Sequence, residues 1–194
     1  MKQSLIYKNI GLYRFLMNGL YLGGYRRRFE KVVSLIRGDA SKVVELCFGD
    51  TWIAEHCQKR GIEWIGYDLN EAFVTRAQRL KLNAVREDVA KLDEFPQCDA
   101  CIMVGSLYHF QEGAPELIRK MIRSAKQVIL SEPVRNLSSA KGIVGFVARR
   151  SADAGKGREL FRFNETTFID MMNTLNVPYR VVSLERDILI EIRG

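Results

Sequence analysis

Four positions in the first half of the chain have side chains and spacing suited to chemistry: Glu45 and Gly49 within VVELCFGDTW, Asp68 closing EWIGYDL, and Asp88 in REDVA. A lone glycine in the turn after a strand lets a ligand approach the backbone, and acids at strand ends accept hydrogen bonds from hydroxyl or amino groups. A dinucleotide fold asks for more, because its G-x-G-x-x-G uses glycine for the tight turn, for approach to the pyrophosphate and for helix packing. Here those places hold Cys47, Gly49 and Trp52. The thiol and the indole argue against NAD or FAD, and no GK[ST] follows the strand to cradle a nucleoside triphosphate.

A nucleoside ligand without phosphates relaxes those demands, and S-adenosylmethionine is one. Gly49 supplies the close approach. Asp68 lies about 20 positions past the glycine turn, the spacing at which an acid meets ribose hydroxyls in other nucleotide folds. Asp88 can accept from the adenine amino group, Leu69 is placed to touch the adenine face, and Val89, beside Asp88, is assigned to the same site. Each residue also has a plainer reading. Glu45 can brace the turn by accepting from backbone amides, Asp68 and Asp88 can be loop or cap residues, and Trp52 and Tyr67 can be packing.

These residues need a scaffold that brings strand ends together. Apolar spacing over residues 3 to 36 predicts two helices broken at Gly23-Gly24. VVELCF then reads as the first strand, residues 52 to 60 as a helix stopped by Gly61, and EWIGYDL as the second strand. Helix 71 to 81, strand 83 to 86, strand 99 to 104, helix 115 to 125 and strand 127 to 131 continue the alternation. Residues 165 to 175 give a further helix with Asn164 and Thr167 at its start, and YRVVSL and DILIEI form an antiparallel hairpin. Such alternation predicts an α/β layered fold with parallel strands joined by right-handed crossovers, in one domain spanning residues 1 to 194.

The order of these segments resembles the class I S-adenosylmethionine-dependent methyltransferases over about residues 42 to 192. Glu45-Leu-Cys-Phe-Gly-Asp-Thr matches that family's E/D-x-G-x-G-x-G at Glu45 and Gly49, departs from it at Thr51, and at Cys47 is similar to quinone-biosynthesis methyltransferases. Asp68 and Asp88 match the acids after the second and third strands, DACIMVGSLYHF the fourth-strand motif with its trailing histidine, and ILSEP the fifth strand. The resemblance implies a Rossmann-like three-layer domain, sheet order 3-2-1-4-5-7-6, with S-adenosylmethionine as cofactor and S-adenosylhomocysteine as product. It places Glu45, Cys47, Gly49, Trp52, Asp68, Leu69, Asp88, Val89, Gly105 and Ser106 around the cofactor, although Gly105 and Ser106 can equally form a simple turn. It also assigns residues 1 to 38, as a helical lid, and 134 to 162, an insertion after the fifth strand, to the acceptor side.

Tyr108, His109 and Glu132 follow the fourth and fifth strands and are the candidates for catalysis. His109 has the pKa suited to a general base, needed only if the acceptor keeps its proton, and its alternative is a structural histidine beside the cofactor. The net charge of +7 favours an acidic partner: an anionic small molecule, an anionic membrane surface or RNA. Arg26-Arg27-Arg28 and residues 141 to 162 concentrate that charge, and KGIVGFVARR reads either as an amphipathic patch or as a buried helix. No nucleic-acid signature accompanies it. The expectation is transfer to a small organic acceptor, anionic or lipid-like, with an RNA methyltransferase and a non-catalytic binding module as alternatives.

The four cysteines include Cys98-Asp-Ala-Cys101, which leads into the apolar run CIMV and has no second tight pair for zinc, so the thiols are read as buried and structural. With no apolar run near the roughly 20 residues of a bilayer span, the expected address is the cytoplasm.

Overall fold

The computed structural model describes Arg14, residues 17 to 19, 23 to 135 and 161 to 194. Most of the expected lid and residues 136 to 160 of the expected insertion, including the 141 to 150 patch, lie outside the described residues.

Helix α1 (Tyr25–Val33) leads to β1 (Lys42–Leu46), α2 (Trp52–Lys59), β2 (Glu63–Asp68), α3 (Glu71–Arg79) and β3 (Asn83–Arg86). Strand β4 (Cys98–Val104), α4 (Ala114–Ser124), β5 (Ala125–Pro133), α5 (Glu165–Asn173), β6 (Arg180–Leu184) and β7 (Asp187–Arg193) follow. The sheet order is β3-β2-β1-β4-β5-β7-β6. The strands from β3 to β5 are parallel, and β7 runs antiparallel to both β5 and β6. This is the Rossmann-like sheet order expected from the sequence, with the order reversing between β1 and β4.

The central strands are buried on both faces, which is why they read as near-continuous apolar runs. On one face Val44, Met103 and Leu130 pack under Ile118 and Met121 of α4 and Phe168 and Met172 of α5. On the other, Val43, Ile102 and Ile129 pack under Phe29 and Val32 of α1, Ile53 of α2 and Phe73 of α3. Local sequence fixes several ends. Asn70 caps α3 by accepting from the Ala72 N–H, and Asn164 and Thr167 form a reciprocal capping box at the start of α5.

Glu45 and Trp64 break the apolar pattern together. The Trp64 indole crosses Gly66, where a Cβ would collide with that ring and with Phe48. From there its Nε1 donates to Glu45 Oε2 at 2.8 Å. Burial holds the Glu45 pKa well above the usual carboxylate range. Its observed partner is thus an indole, not the turn amides that a bracing role would use.

Among the described residues no helix is long and apolar enough to cross a membrane. All four cysteines are free, with Cys57, Cys98 and Cys101 buried and Cys47 half-buried.

Candidate active site

The carboxyl ends of β2, β1, β4 and β5 line up in that order along one edge of the sheet. At the end of β1 the chain enters the left-handed region at Cys47 (φ 54°) and again at Gly49 (φ 55°). Glycine adopts that conformation freely, whereas a cysteine there costs on the order of 1–3 kcal/mol. The Cys47 N–H is held by the Tyr67 carbonyl at 2.7 Å, which keeps the turn fastened to β2.

Asp68 ends β2 and reaches across to that turn. Its Oδ2 accepts from the Gly49 N–H at 2.9 Å and its Oδ1 from the Asn70 N–H at 2.7 Å. Burial pushes the carboxyl up to about 6 against the opposing pull of those two donors. A carboxylate oxygen accepts more than one hydrogen bond, so both oxygens retain capacity for a hydroxyl donor. Leu69, next to it, is exposed, an apolar side chain at the mouth of the edge. The pair fits a nucleoside, with a carboxylate for the sugar diol and an apolar face for the base.

The remaining expected residues are distributed less evenly. Asp88 follows β3, and its Oδ1 accepts from the Ala90 N–H at 3.2 Å in a local turn, while its Oδ2 has no hydrogen bond among the described residues. Val89 directs its side chain into the core, where it is 2% exposed. Thr51, at the family's third glycine, turns its hydroxyl to Glu55 at 2.7 Å. Trp52 begins α2 half-buried, its ring covered by Arg14 at 4.7 Å and Arg26 at 5.1 Å. Gly105 follows β4 with φ 65° and donates to the Ser131 carbonyl at 2.6 Å, while the Ser106 hydroxyl donates to the Val104 carbonyl at 3.4 Å.

The three catalytic candidates separate by burial. Tyr108 and His109 lie half-buried on a 3₁₀ turn, their rings 3.9 Å apart, and Arg162 covers the Tyr108 ring at 3.6 Å. Glu132 is inside the protein, where its Oε2 accepts from the Leu107 N–H at 3.0 Å and the Tyr108 backbone also donates to the carboxylate. Burial pushes its pKa up to about 8, against the opposing charge of Arg28.

Two arginine contacts bring in residues that motif reading misses. Arg14 holds the buried Asp50 through Nε at 2.9 Å and Nη2 at 2.7 Å, and Arg76 approaches the same carboxylate at 3.4 Å. Asp50 sits inside the glycine turn, at a place the family pattern leaves open. Arg28, the last of the triple-arginine run, is turned inward: its Nε lies 2.6 Å from Asp187 and its Nη2 lies 3.4 Å from the Ser131 carbonyl. A Cβ on Gly105 would fall within that guanidinium. The only hint in the sequence is a charged residue on the turn of α1 that carries Tyr25, Phe29 and Val32 inward.

Comparison with known proteins agrees with this geometry. Residues 44–129 match the family model described as a methyltransferase domain. Among solved structures, magnesium protoporphyrin IX methyltransferase from Synechocystis PCC 6803 with bound SAH has a TM-score of 0.68 at 16% identity, covering 97% of each chain. A SAM-dependent methyltransferase from Archaeoglobus fulgidus gives 0.65 at 14% identity, over 94% of this chain and 100% of that one. Human N-acetylserotonin methyltransferase in complex with SAM gives 0.64 at 13% identity, over 97% and 57% respectively. No curated protein matches the sequence. The sheet order and the methyltransferase domain matched over residues 44–129 give the chain the fold of these S-adenosylmethionine-dependent methyltransferases. Two of these neighbours hold SAH or SAM in their structures.

Proposed function

We propose that the protein methylates a small organic acceptor, with the cofactor's sugar on Asp68 and its base beside Leu69 and Asp88. The carrying observation is the Asp68 carboxylate, pinned to the Gly49 N–H at 2.9 Å beside the left-handed turn. Ser106 and Gly105 continue the same edge toward β5. The bound sulfonium supplies an electrophilic methyl group, whose C–S bond breaks as the acceptor's lone pair forms the new bond, leaving the neutral thioether.

This chain's residues then do three things. Asp68, as a carboxylate, orients the nucleoside. Gly105, with no Cβ, lets the Arg28 guanidinium pack against the end of β4 and hold that edge in place. Glu132 fixes the Leu107–His109 turn through Leu107 and Tyr108, so that the half-buried Tyr108 and His109 hold their places beside it. His109 accepts a proton from an acceptor that loses one, and Glu132 is a positioning residue.

A small acceptor is supported by the neighbours that carry substrate names, which act on a porphyrin and on N-acetylserotonin. Residues 1 to 38 and 134 to 162 form the acceptor side in this reading, and the protein works in the cytoplasm. Calorimetry tests the cofactor site: S-adenosylhomocysteine binds the wild type, and Asp68→Ala abolishes the heat. Unchanged binding in that variant would refute the assignment.

A further inference from the structure

Arg162 lies between two phenylalanines that anchor it. Phe163 is 3% exposed, and its ring meets Phe161 edge-on at 4.9 Å and Phe168 of α5 edge-on at 5.4 Å. The capping box of Asn164 and Thr167 begins directly afterwards, so the backbone at Arg162 is held in place by its neighbours. From there the guanidinium carbon stands 3.6 Å from the centre of the Tyr108 ring, a van der Waals spacing that puts the cation over the ring face. The His109 ring is 3.9 Å from that of Tyr108, so guanidinium, phenol and imidazole form one contiguous group on the turn after β4.

Arg14 and Arg28 each hold a carboxylate, and Arg162 differs from them. It is half-buried, yet no carboxylate is in contact with it among the described residues. Its Nη1 donates to the Phe161 carbonyl at 2.8 Å, while Nε and Nη2 have no acceptor there and neither is sealed inside the protein. The Tyr108 ring offsets part of the cost of drawing the charge out of water, but it engages the face of the guanidinium and not its in-plane N–H groups.

We propose that Arg162 determines acceptor specificity, taking an acidic group of the methyl acceptor, a carboxylate or a phosphate, on its open N–H edge. The inference rests on the small-acceptor reading above and adds the chemical class of the acceptor. The guanidinium fork matches the oxygens of either acid in paired hydrogen bonds. Stacking on Tyr108 holds the fork before a ligand arrives, so little side-chain freedom is lost on binding. A small molecule held there by its acid has its remainder beside His109, the proton acceptor of the proposed reaction. An acid engaged by arginine has its lone pairs occupied and is a poor nucleophile, so the methylated atom lies elsewhere on the acceptor and the product keeps its negative charge.

The test uses the full chain, Arg162→Met, which keeps an unbranched stem over Tyr108 without the charge, and Arg162→Lys, which keeps the charge without the fork. Inorganic phosphate and benzoate are titrated separately at constant ionic strength while the Arg162 Nε–H signal and the Tyr108 and His109 amides are followed by NMR. One or both anions shift all three signals in the wild type, the amide shifts vanish in Arg162→Met, and the stronger anion identifies the acidic group. Calorimetry with S-adenosylhomocysteine gives equal affinity for the three proteins, which separates this contact from the cofactor site. Isotopically labelled cofactor incubated with dilute cell extract then yields a product retained on anion-exchange resin, formed about tenfold more slowly or worse by Arg162→Met and partly restored in Arg162→Lys. Partition of that product between water and chloroform distinguishes a soluble acid from an acidic lipid. No shift of the Arg162 signal at tens of millimolar of either anion, amide shifts that persist in Arg162→Met, an uncharged or cationic product, or equal rates for wild type and Arg162→Met would overturn the proposal. Failure of the wild type to bind S-adenosylhomocysteine would instead overturn the cofactor assignment, with the NMR result still deciding the anion contact.

Discussion

Glu132 makes stability depend on pH in a way that one isosteric substitution removes. Its folded pKa is about 8 against an ordinary 4.5, so the folded protein holds a proton there that the unfolded chain has released. The contribution to stability is fully present below about 4.5 and is lost as pH rises through 8. Linkage across that window gives a loss of about 2.5 kcal/mol between pH 5 and 7 and about 4 kcal/mol by pH 9. Glu132→Gln reproduces the protonated acid, because its amide oxygen can replace Oε2 opposite the Leu107 N–H. Its amide nitrogen then sits where Oε1 has no partner among the described residues. Urea unfolding at unit steps from pH 5 to 9, for wild type and variant together, cancels the other titrating groups. The variant gains on the wild type by roughly 1.4 kcal/mol per unit where the carboxyl is released only in the unfolded chain. Parallel curves for the two proteins would refute the buried neutral acid.

Asp68 titrates near 6, and only its ionised form accepts from two hydroxyls, so S-adenosylhomocysteine affinity measured by calorimetry falls as pH drops from 7 to 5. Gly66→Ala forces Trp64 and Phe48 apart inside a packed layer, and chemical denaturation registers a loss of about 3 kcal/mol or total failure to fold. Arg14→Ala leaves the buried Asp50 with only Arg76 and the Thr51 N–H among the described residues, lowering stability by about 1–3 kcal/mol in the same assay. Gly105→Ala adds a left-handed alanine to a collision with Arg28, and a melting temperature below that of Gly38→Ala, where the added Cβ meets open space, checks it.

Much of the fold was legible because burial on one or two faces writes itself into local period. Helix α3, expected over 71 to 81, is observed at Glu71–Arg79, and the strand expected over 127 to 131 is longer, at Ala125–Pro133. The added start follows from pairing with β4 at Cys98 and Ala125, and the added end from pairing with β7, whose register runs from Gln127 to Pro133; a partner so far along the chain leaves no mark on residues 132 and 133. The acid at Asp68 was legible from its distance to the glycine turn, and its neighbour Leu69 with it. Asp88 was legible as a position only: its bond to Ala90 is a short-range option open to any aspartate in a turn. Arg28 was hidden by its own neighbours, since a triple-arginine run reads as solvated charge and nothing local says which of the three turns inward. Asp50 was hidden in the same way, because its partners Arg14 and Arg76 are chosen by folding and not by spacing.

The chain has two tryptophans, and the fold gives each a separate spectroscopic duty. Trp64 is enclosed, edge-on to Phe48 at 5.3 Å, so its emission changes only when the whole layer comes apart. Trp52 sits at the threshold beneath Arg14 and Arg26, and its emission follows the lifting of those side chains while the interior stays intact. A Trp64→Phe protein therefore gives a fluorescent readout of opening at the mouth alone, distinct from denaturation.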